Sequence, residues 1–518
     1  MIMRRSIGVL LAGTLLFAAG CSDLGGMATR YRAERMHLQA QREEARLTVG
    51  KARPDSTTLL KIHDAYSRLR ATFKPPFVKG TSDVAKRLNA EITRQVGGAE
   101  LTGARFALQA RRPDLALEHA RWVASIAEAD TGLHRQADFI SVGALRAQRK
   151  FEDAIQVMRG MLQRYRLIPP PSYDREDQLL SVPDGIVGVR EEMGDSAGAR
   201  RERAQTVEYY RGVLKASPPP ILQAQVRARL ARTLIEMGDA ASASGEVTTL
   251  RRMVSATPAL KDLEPEIMYT EARVTSMGKD TKGALELYDL VLMTYPHSRF
   301  APKALFDSGI LLERLMDREG ALARYRAVYD RPNADEALAP IASFRAAMVK
   351  DQMGKWAESK QMLEGIPVRF PHSRAAIQAP FAIVEHYSRA GQGDAVKASL
   401  LKAVDVYRGL IASDTTSVYC AAFRWSILRA FAGLERWNDA LAAVDEMVAK
   451  DRGILATAQA LVEGAKISSA LGDKARSDMY LQYLVTDFPS SPVAAQARKL
   501  LKERAFQAPP GKSGGERK

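Results

Sequence analysis

Residues 278–333 read GKDTKGALELYDLVLMTYPHSRFAPKALFDSGILLERLMDREGALARYRAVYDRPN, and residues 354–373 read GKWAESKQMLEGIPVRFPHS. In the first stretch Ala284, Tyr288 and Pro296 stand at offsets 0, +4 and +12. Ser359, Leu363 and Pro371 repeat those offsets, as do Ser477, Leu481 and Pro489. A small side chain lets two helices approach closely, and a large apolar one four residues on lies on the same helix face. Proline then stops the helix. The unit is a helix pair, and its recurrence decides the fold.

Walking outward, the small-residue anchors are Ala116, Ala154, Ala199, Ala243, Ala284, Ala321, Ser359, Ala440 and Ser477. Successive spacings are 38, 45, 44, 41, 37, 38, 81 and 37 residues. The gap of 81 holds two repeats, with the missing anchor at Ala398 or Ala403. Glycine stands five residues before several anchors, at Gly194, Gly238, Gly354 and Gly472, where the turn between the two helices falls. The long spacings coincide with two proline-rich breaks, Ile168–Ser172 and Ser217–Pro220, as insertions between helices should.

This pattern resembles the tetratricopeptide repeat (TPR), which carries a small residue early in its second helix, an aromatic at +4, an apolar residue at +7 and proline at +12. Ala284, Tyr288, Val291 and Pro296 match it, and Gly309 fits the close-packing position of a first helix. The tryptophan and tyrosine of the first-helix consensus are mostly absent. The resemblance implies an all-α chain, an α-solenoid wound as a right-handed superhelix of about ten degenerate TPR-like helix pairs.

The N-terminus carries a second signal. Arg4 and Arg5 precede the apolar run Ile7–Ala19, too short for a stable spanning helix, and then comes Ala18-Ala19-Gly20-Cys21. This resembles the bacterial lipobox, although Ala18 stands where leucine is commoner. The resemblance implies cleavage before Cys21, a diacylglycerol on its sulfur and an acyl chain of the palmitate kind on its new amino group. Three acyl chains exceed the two signals that stable anchoring takes. Ser22 follows, which by the sorting rules of that family permits transfer to the outer membrane, periplasmic face; the inner membrane or soluble periplasm is the alternative.

These readings divide the chain into a signal peptide at 1–20 and a lipidated tether with a charged helical segment at 21–56. An N-terminal helical cap follows at 57–100, then the solenoid at 101–490, a capping helix at 491–505 and a disordered tail at 506–518. Removing residues 1–20 takes Arg4 and Arg5 from a net charge of +16 and leaves +14. A basic exported protein points to anionic lipid, glycan or acidic protein surfaces rather than nucleic acid. With Cys21 lipidated, Cys420 is alone, in an apolar helical run where it reads as a buried small residue.

No catalytic, cofactor or metal site emerges. His37, His63, His119, His134, His297, His372 and His386 include no metalloprotease pair, and none has a cysteine at metal-ligand spacing. His297 and His372 recur in Pro-His-Ser and are expected to be exposed turn residues; Trp356 and Trp437 are expected in the core. The sequence has no phosphate-binding glycine loop and no Gly-x-Ser-x-Gly elbow.

The expected function is that of a non-catalytic, membrane-anchored scaffold presenting a concave groove to an envelope assembly or export machine. Residues 295–305, YPHSRFAPKAL, are similar to inter-repeat segments of two envelope groups. One is the TPR lipoprotein of the β-barrel assembly machinery and the other the Tol–Pal coordinator. The partner implied is an outer-membrane β-barrel or envelope-machine protein. A polysaccharide or fibre export lipoprotein is the alternative, and an envelope enzyme such as a cell-wall hydrolase a third.

Overall fold

A computed structural model describes residues 21–49, 54–127, 130–169, 177–331, 337–415, 417, 419–488 and 491–507. All regular structure among them is helical. The chain divides into two compact units at Tyr209/Tyr210. The first unit holds α1 (Cys21–Thr48), α2 (Ser56–Thr72), α3 (Asp83–Gln109), α4 (Pro113–Ile126), α5 (Thr131–Ala147), α6 (Phe151–Arg164) and α7 (Val182–Glu192). The boundary falls inside α8 (Ser196–Lys215).

The second unit continues with α9 (Pro220–Met237), α10 (Ala240–Ala256), α11 (Glu264–Met277), α12 (Thr281–Thr294), α13 (Ala301–Arg314) and α14 (Arg318–Tyr329). Then come α15 (Leu338–Gln352), α16 (Trp356–Arg369), α17 (Arg374–Arg389) and α18 (Gly393–Ser413). The last are α19 (Cys420–Gly433), α20 (Trp437–Lys450), α21 (Leu455–Ala470), α22 (Lys474–Asp487) and α23 (Pro492–Gln507). From α3 to α22 the helices form ten sequential pairs among the described residues; each helix packs on the next from α1 to α7 in the first unit and from α9 to α23 in the second. This is a TPR-like α-solenoid fold.

Every anchor read from the sequence is the fourth residue of a second helix, and every one is at most 1% exposed. The large residue at +4 or +3 follows it inward: Tyr288, Tyr325 and Tyr480 are among the largest fully buried side chains. Burying such a ring removes some 150–250 Å² from water. The close approach is explicit at Gly309 in α13. A Cβ built there would lie 2.7 Å from Cε1 of Tyr325, a ring with no exposure and nowhere to go.

The turn inside each pair also repeats. The residue five before each anchor has a left-handed backbone: Gly194, Gly238, Gly354 and Gly472 do, but so do Arg111, Arg149, Lys279, Met316 and Glu435. Five of these nine turns therefore carry no glycine. Asp239, Asp280, Asp317 and Asp473 then cap the second helices by accepting from the backbone N–H three residues on.

The missing anchor is Ala403. Ala398 is exposed, whereas Ala403, Tyr407 and Leu410 at 0, +4 and +7 are buried. The turn residue Gly391, φ +70°, nevertheless sits twelve residues before Ala403 rather than five. The difference is seven residues: α18 has 21 residues against 14 in α16 and α20. Seven residues make about two helical turns, so the extension keeps the same face inward.

At the N-terminal end, α1 packs on α2 and α3: Tyr66 donates to Glu44, and Arg30 pairs with Glu91 at 3.0 Å. Helix α3 runs unbroken through residue 100. Asp177 joins the flanks of the first proline-rich break, accepting from the Ile168 N–H at 2.8 Å and pairing with Arg135 at 2.7 Å. The chain is helical again by Gln178. Residues 1–20, expected to be a signal peptide, and residues 508–518, expected to be a disordered tail, lie outside the described residues.

Two substitutions separate packing from propensity. Gly309→Ala is expected to lower unfolding free energy by about 1–3 kcal/mol through overpacking against Tyr325, although alanine is the better helix former by about 1 kcal/mol. Lys279→Gly, at an exposed left-handed position, is expected to raise it by up to about 1 kcal/mol. Denaturant titration of both variants checks the opposed signs.

Candidate docking pocket

The extension of α18 leaves a cavity of about 230 Å³ between α16, α17 and α18. Its floor is Leu363, Pro367, Pro380, Ile383 and Tyr387, and its α18 wall is built of small residues, Ala395, Ala398 and Ser399. Two features open it. Pro367 and Pro380 lie inside their helices, where neither donates a backbone N–H. The added turns of α18 bring alanine and serine where larger side chains would have filled the space. Glu364 on the rim pairs with Lys402 at 2.8 Å and Lys360 at 4.0 Å, leaving one net positive charge among the three. The volume is below the ~300–1,000 Å³ of small-molecule sites and suits one or two apolar side chains.

An aromatic group flanks it. Trp356 stacks on His386, centroids 3.4 Å apart and planes 1° from parallel, and meets the edge of Tyr387. His386 Nδ1 lies 2.7 Å from Asp351, which also takes Arg389 at 3.0 Å. Trp356 is thus half-buried between repeats, whereas Trp437 is 39% exposed and not in the core. Both open their helices, where a side chain faces the turn rather than the interior. His297 is exposed as expected; His372 is half-buried, its ring 6.4 Å from Phe423. Cys420 is 3% exposed and its Sγ contacts the Asp414 carbonyl at 3.2 Å; burial pushes its thiol up, away from reactivity. The backbone of Cys21 opens α1. Among the described residues no helix is long and apolar enough to cross a membrane.

Polar pairs recur at the repeat spacing. Arg324–Asp289, Lys355–Glu319, Lys402–Glu364 and Arg389–Asp351 join residues 35, 36, 38 and 38 apart. Buried tyrosines also hand their hydroxyls to carboxylates: Tyr325 to Glu313 and Tyr480 to Asp445. Tyr269 and Tyr288 share Asp307, at 2.8 and 3.5 Å. Burial raises the Asp307 carboxyl, against the opposing pull of the tyrosine hydroxyls, Arg273 and Lys303.

No family model matches the chain, and no curated protein does. Solved structures do. A tetratricopeptide repeat protein from Parabacteroides merdae is 15% identical, with 54% of this chain and 97% of that one covered and a TM-score of 0.29. PilW, a type IV pilus biogenesis factor, is 15% identical over 53% of this chain and 98% of its own, at 0.28. Yeast Tom70 is 10% identical over 94% and 96%, at 0.38. The helix-pair geometry described above, not this likeness, carries the fold.

Because the fold favours protonated Asp307, the ionised form costs stability once pH exceeds the ordinary carboxylate range near 4, and that cost is absent below it. Asp307→Asn keeps an acceptor for Tyr269 and carries no charge. It is expected to be more stable than wild type at pH 7, with the advantage gone below about pH 3.5, by denaturant titration at the two pH values.

Proposed function

We propose that this chain is a non-catalytic scaffold of the bacterial envelope, anchored through lipid on Cys21, that holds a protein partner by apolar side chains seated between α16, α17 and α18. The pocket carries the reading. Elsewhere in the array the fourth residue of each second helix is closed over by its neighbours; here small side chains and two prolines leave an apolar depression with a charged rim. A helical or extended segment recognised in this way is anchored by one or two apolar residues, with the rim fixing its orientation. The single excess positive charge favours a carboxylate beside those residues on the partner.

The anchor rests on the order of residues 1–21: two arginines, a short apolar run, then Ala-Ala-Gly-Cys. It supplies proximity. A scaffold held at a membrane meets membrane-bound partners at a raised effective concentration, so a shallow pocket suffices. The outer membrane's periplasmic face is the proposed location, on the serine at position 22, and an envelope assembly or export machine the proposed setting.

Two measurements test the halves separately. Mass spectrometry of the mature N-terminus is expected to find a triacylated Cys21, and Cys21→Ser to remain unprocessed; an unmodified cysteine in the mature chain would remove the anchor. A photocrosslinker at Ala398 is expected to capture one envelope protein in intact cells, with the yield reduced at least about tenfold by Ser399→Lys, which fills the pocket from its half-buried α18 wall. Equal capture by the Ser399→Lys protein, with its fold intact by circular dichroism, would remove the pocket.

A further inference from the structure

Three residues far apart in sequence meet inside the first unit. His63 on α2, Glu100 on α3 and His119 on α4 are 4%, 0% and 6% exposed. His119 Nδ1 hydrogen bonds to Glu100, whose other oxygen accepts the Arg70 backbone N–H at 3.2 Å. His63 Nδ1 lies 2.9 Å from the Asp64 carboxylate. The two Nε2 atoms then face each other at 3.1 Å.

Donor counting fixes what this chain of contacts needs. An ionised carboxylate only accepts, so each Nδ1 on a carboxylate must carry a proton. Two neutral rings would then present two lone pairs to each other across 3.1 Å. If His63 instead moves its only proton to Nε2, its bare Nδ1 faces Asp64. If both rings are doubly protonated, two N–H groups and two positive charges collide. A single extra proton, shared at the Nε2–Nε2 contact, satisfies every bond. Space offers no other relief: a Cβ on Gly103 of α3 would lie 3.2 Å from Cβ of Tyr66 and 3.4 Å from the His63 carbonyl, so α2 and α3 are already in contact. The Ser67 hydroxyl is 3.0 Å from that carbonyl and 3.3 Å from His63 Nε2, the shorter bond going to the carbonyl.

We propose that His63 and His119 form a one-proton latch, joining α2 to α4 most tightly when the pair carries a single shared proton. The other charges around it are engaged elsewhere. On α2 and α4, the Arg70 guanidinium pairs with Glu118 at 3.0 Å. From α1, Glu44 accepts the Tyr66 hydroxyl, Glu43 takes Arg68 at 3.5 Å, and His37 lies edge-on to the Tyr66 ring. From α5, which packs on α4, His134 bonds to Tyr165, Arg135 to Asp177 and Asp138 to Arg164. Glu100 and Asp64 are therefore the carboxylates that read the state of the pair.

The test is hydrogen exchange of the full chain as a function of pH, corrected for the intrinsic rate, with amides of α2 and α4 followed. Protection is expected to peak at one pH and to fall about tenfold as the shared proton is removed, the loss of one charge-assisted bond. Asp64→Asn decides the mechanism. Asp64 is 68% exposed, so the variant folds, and its carboxamide donates to a bare His63 Nδ1, letting the neutral pair satisfy every contact. The high-pH fall should disappear in that variant while the low-pH fall remains. Flat protection in wild type, or the same high-pH fall in Asp64→Asn, would overturn the latch. So would uptake of one equivalent of zinc abolished by His119→Gln, which would assign the two Nε2 atoms to a metal instead.

Discussion

The distance between neighbouring helices is set by one small side chain. At the fourth position of nine of the second helices, and at Ala403 in the extended α18, a small side chain lets a neighbouring helix approach; where a tyrosine or leucine follows one turn later, as at Tyr288, Tyr325, Leu363, Tyr407 and Leu481, it is sealed. A larger residue there would hold the helices apart and leave the ring beside a void, and either defect costs several kcal/mol in a close-packed interior. Where serine replaces alanine, its hydroxyl finds a carbonyl on the facing helix: Ser359 donates to Ala347 at 2.7 Å and Ser477 to Ala465 at 3.0 Å. The constraint is one of size, and polarity is tolerated if it is satisfied.

The ion pairs strung along the array play a different part. Most involve at least one exposed partner, and such pairs are worth about 0–1 kcal/mol each. They do not hold the repeats together. Their spacing of one repeat makes them a record of register: a repeat slipped along its neighbour by one residue would lose the anchor packing and misalign the charges together. The tyrosine–carboxylate bonds are more consequential, because the hydroxyl of a ring sealed by its neighbours has few alternatives to its partner.

Much of the architecture was legible because it obeys a period. All nine anchors stood in the sequence at positions that are fully buried, and four of the turns announced themselves by glycine. The turns at Arg111, Arg149, Lys279, Met316 and Glu435 did not, since tertiary packing imposes a left-handed backbone on residues that do not favour it. Trp437 misled because aromatic size says nothing about direction at a helix start. The pocket was illegible for another reason. It is made by what is missing, small residues on α18 and two prolines, and missing volume has no motif. The histidine pair was hidden by distance: positions 63, 100 and 119 share no local pattern, and only the packing of three helices brings them together.

The seven extra residues of α18 bear on how such an array can change. An insertion of one or two residues rotates everything beyond it by ~100–200° around the helix and exposes the anchor. An insertion of seven returns the chain to within ~20° of where it was. A lineage can therefore acquire or lose a two-turn overhang in one in-frame event without disturbing a single core contact. The α18 wall of the resulting depression belongs to the overhang, and its alanines and serine can be exchanged without touching an anchor. Recognition and architecture are then inherited separately within the same helix.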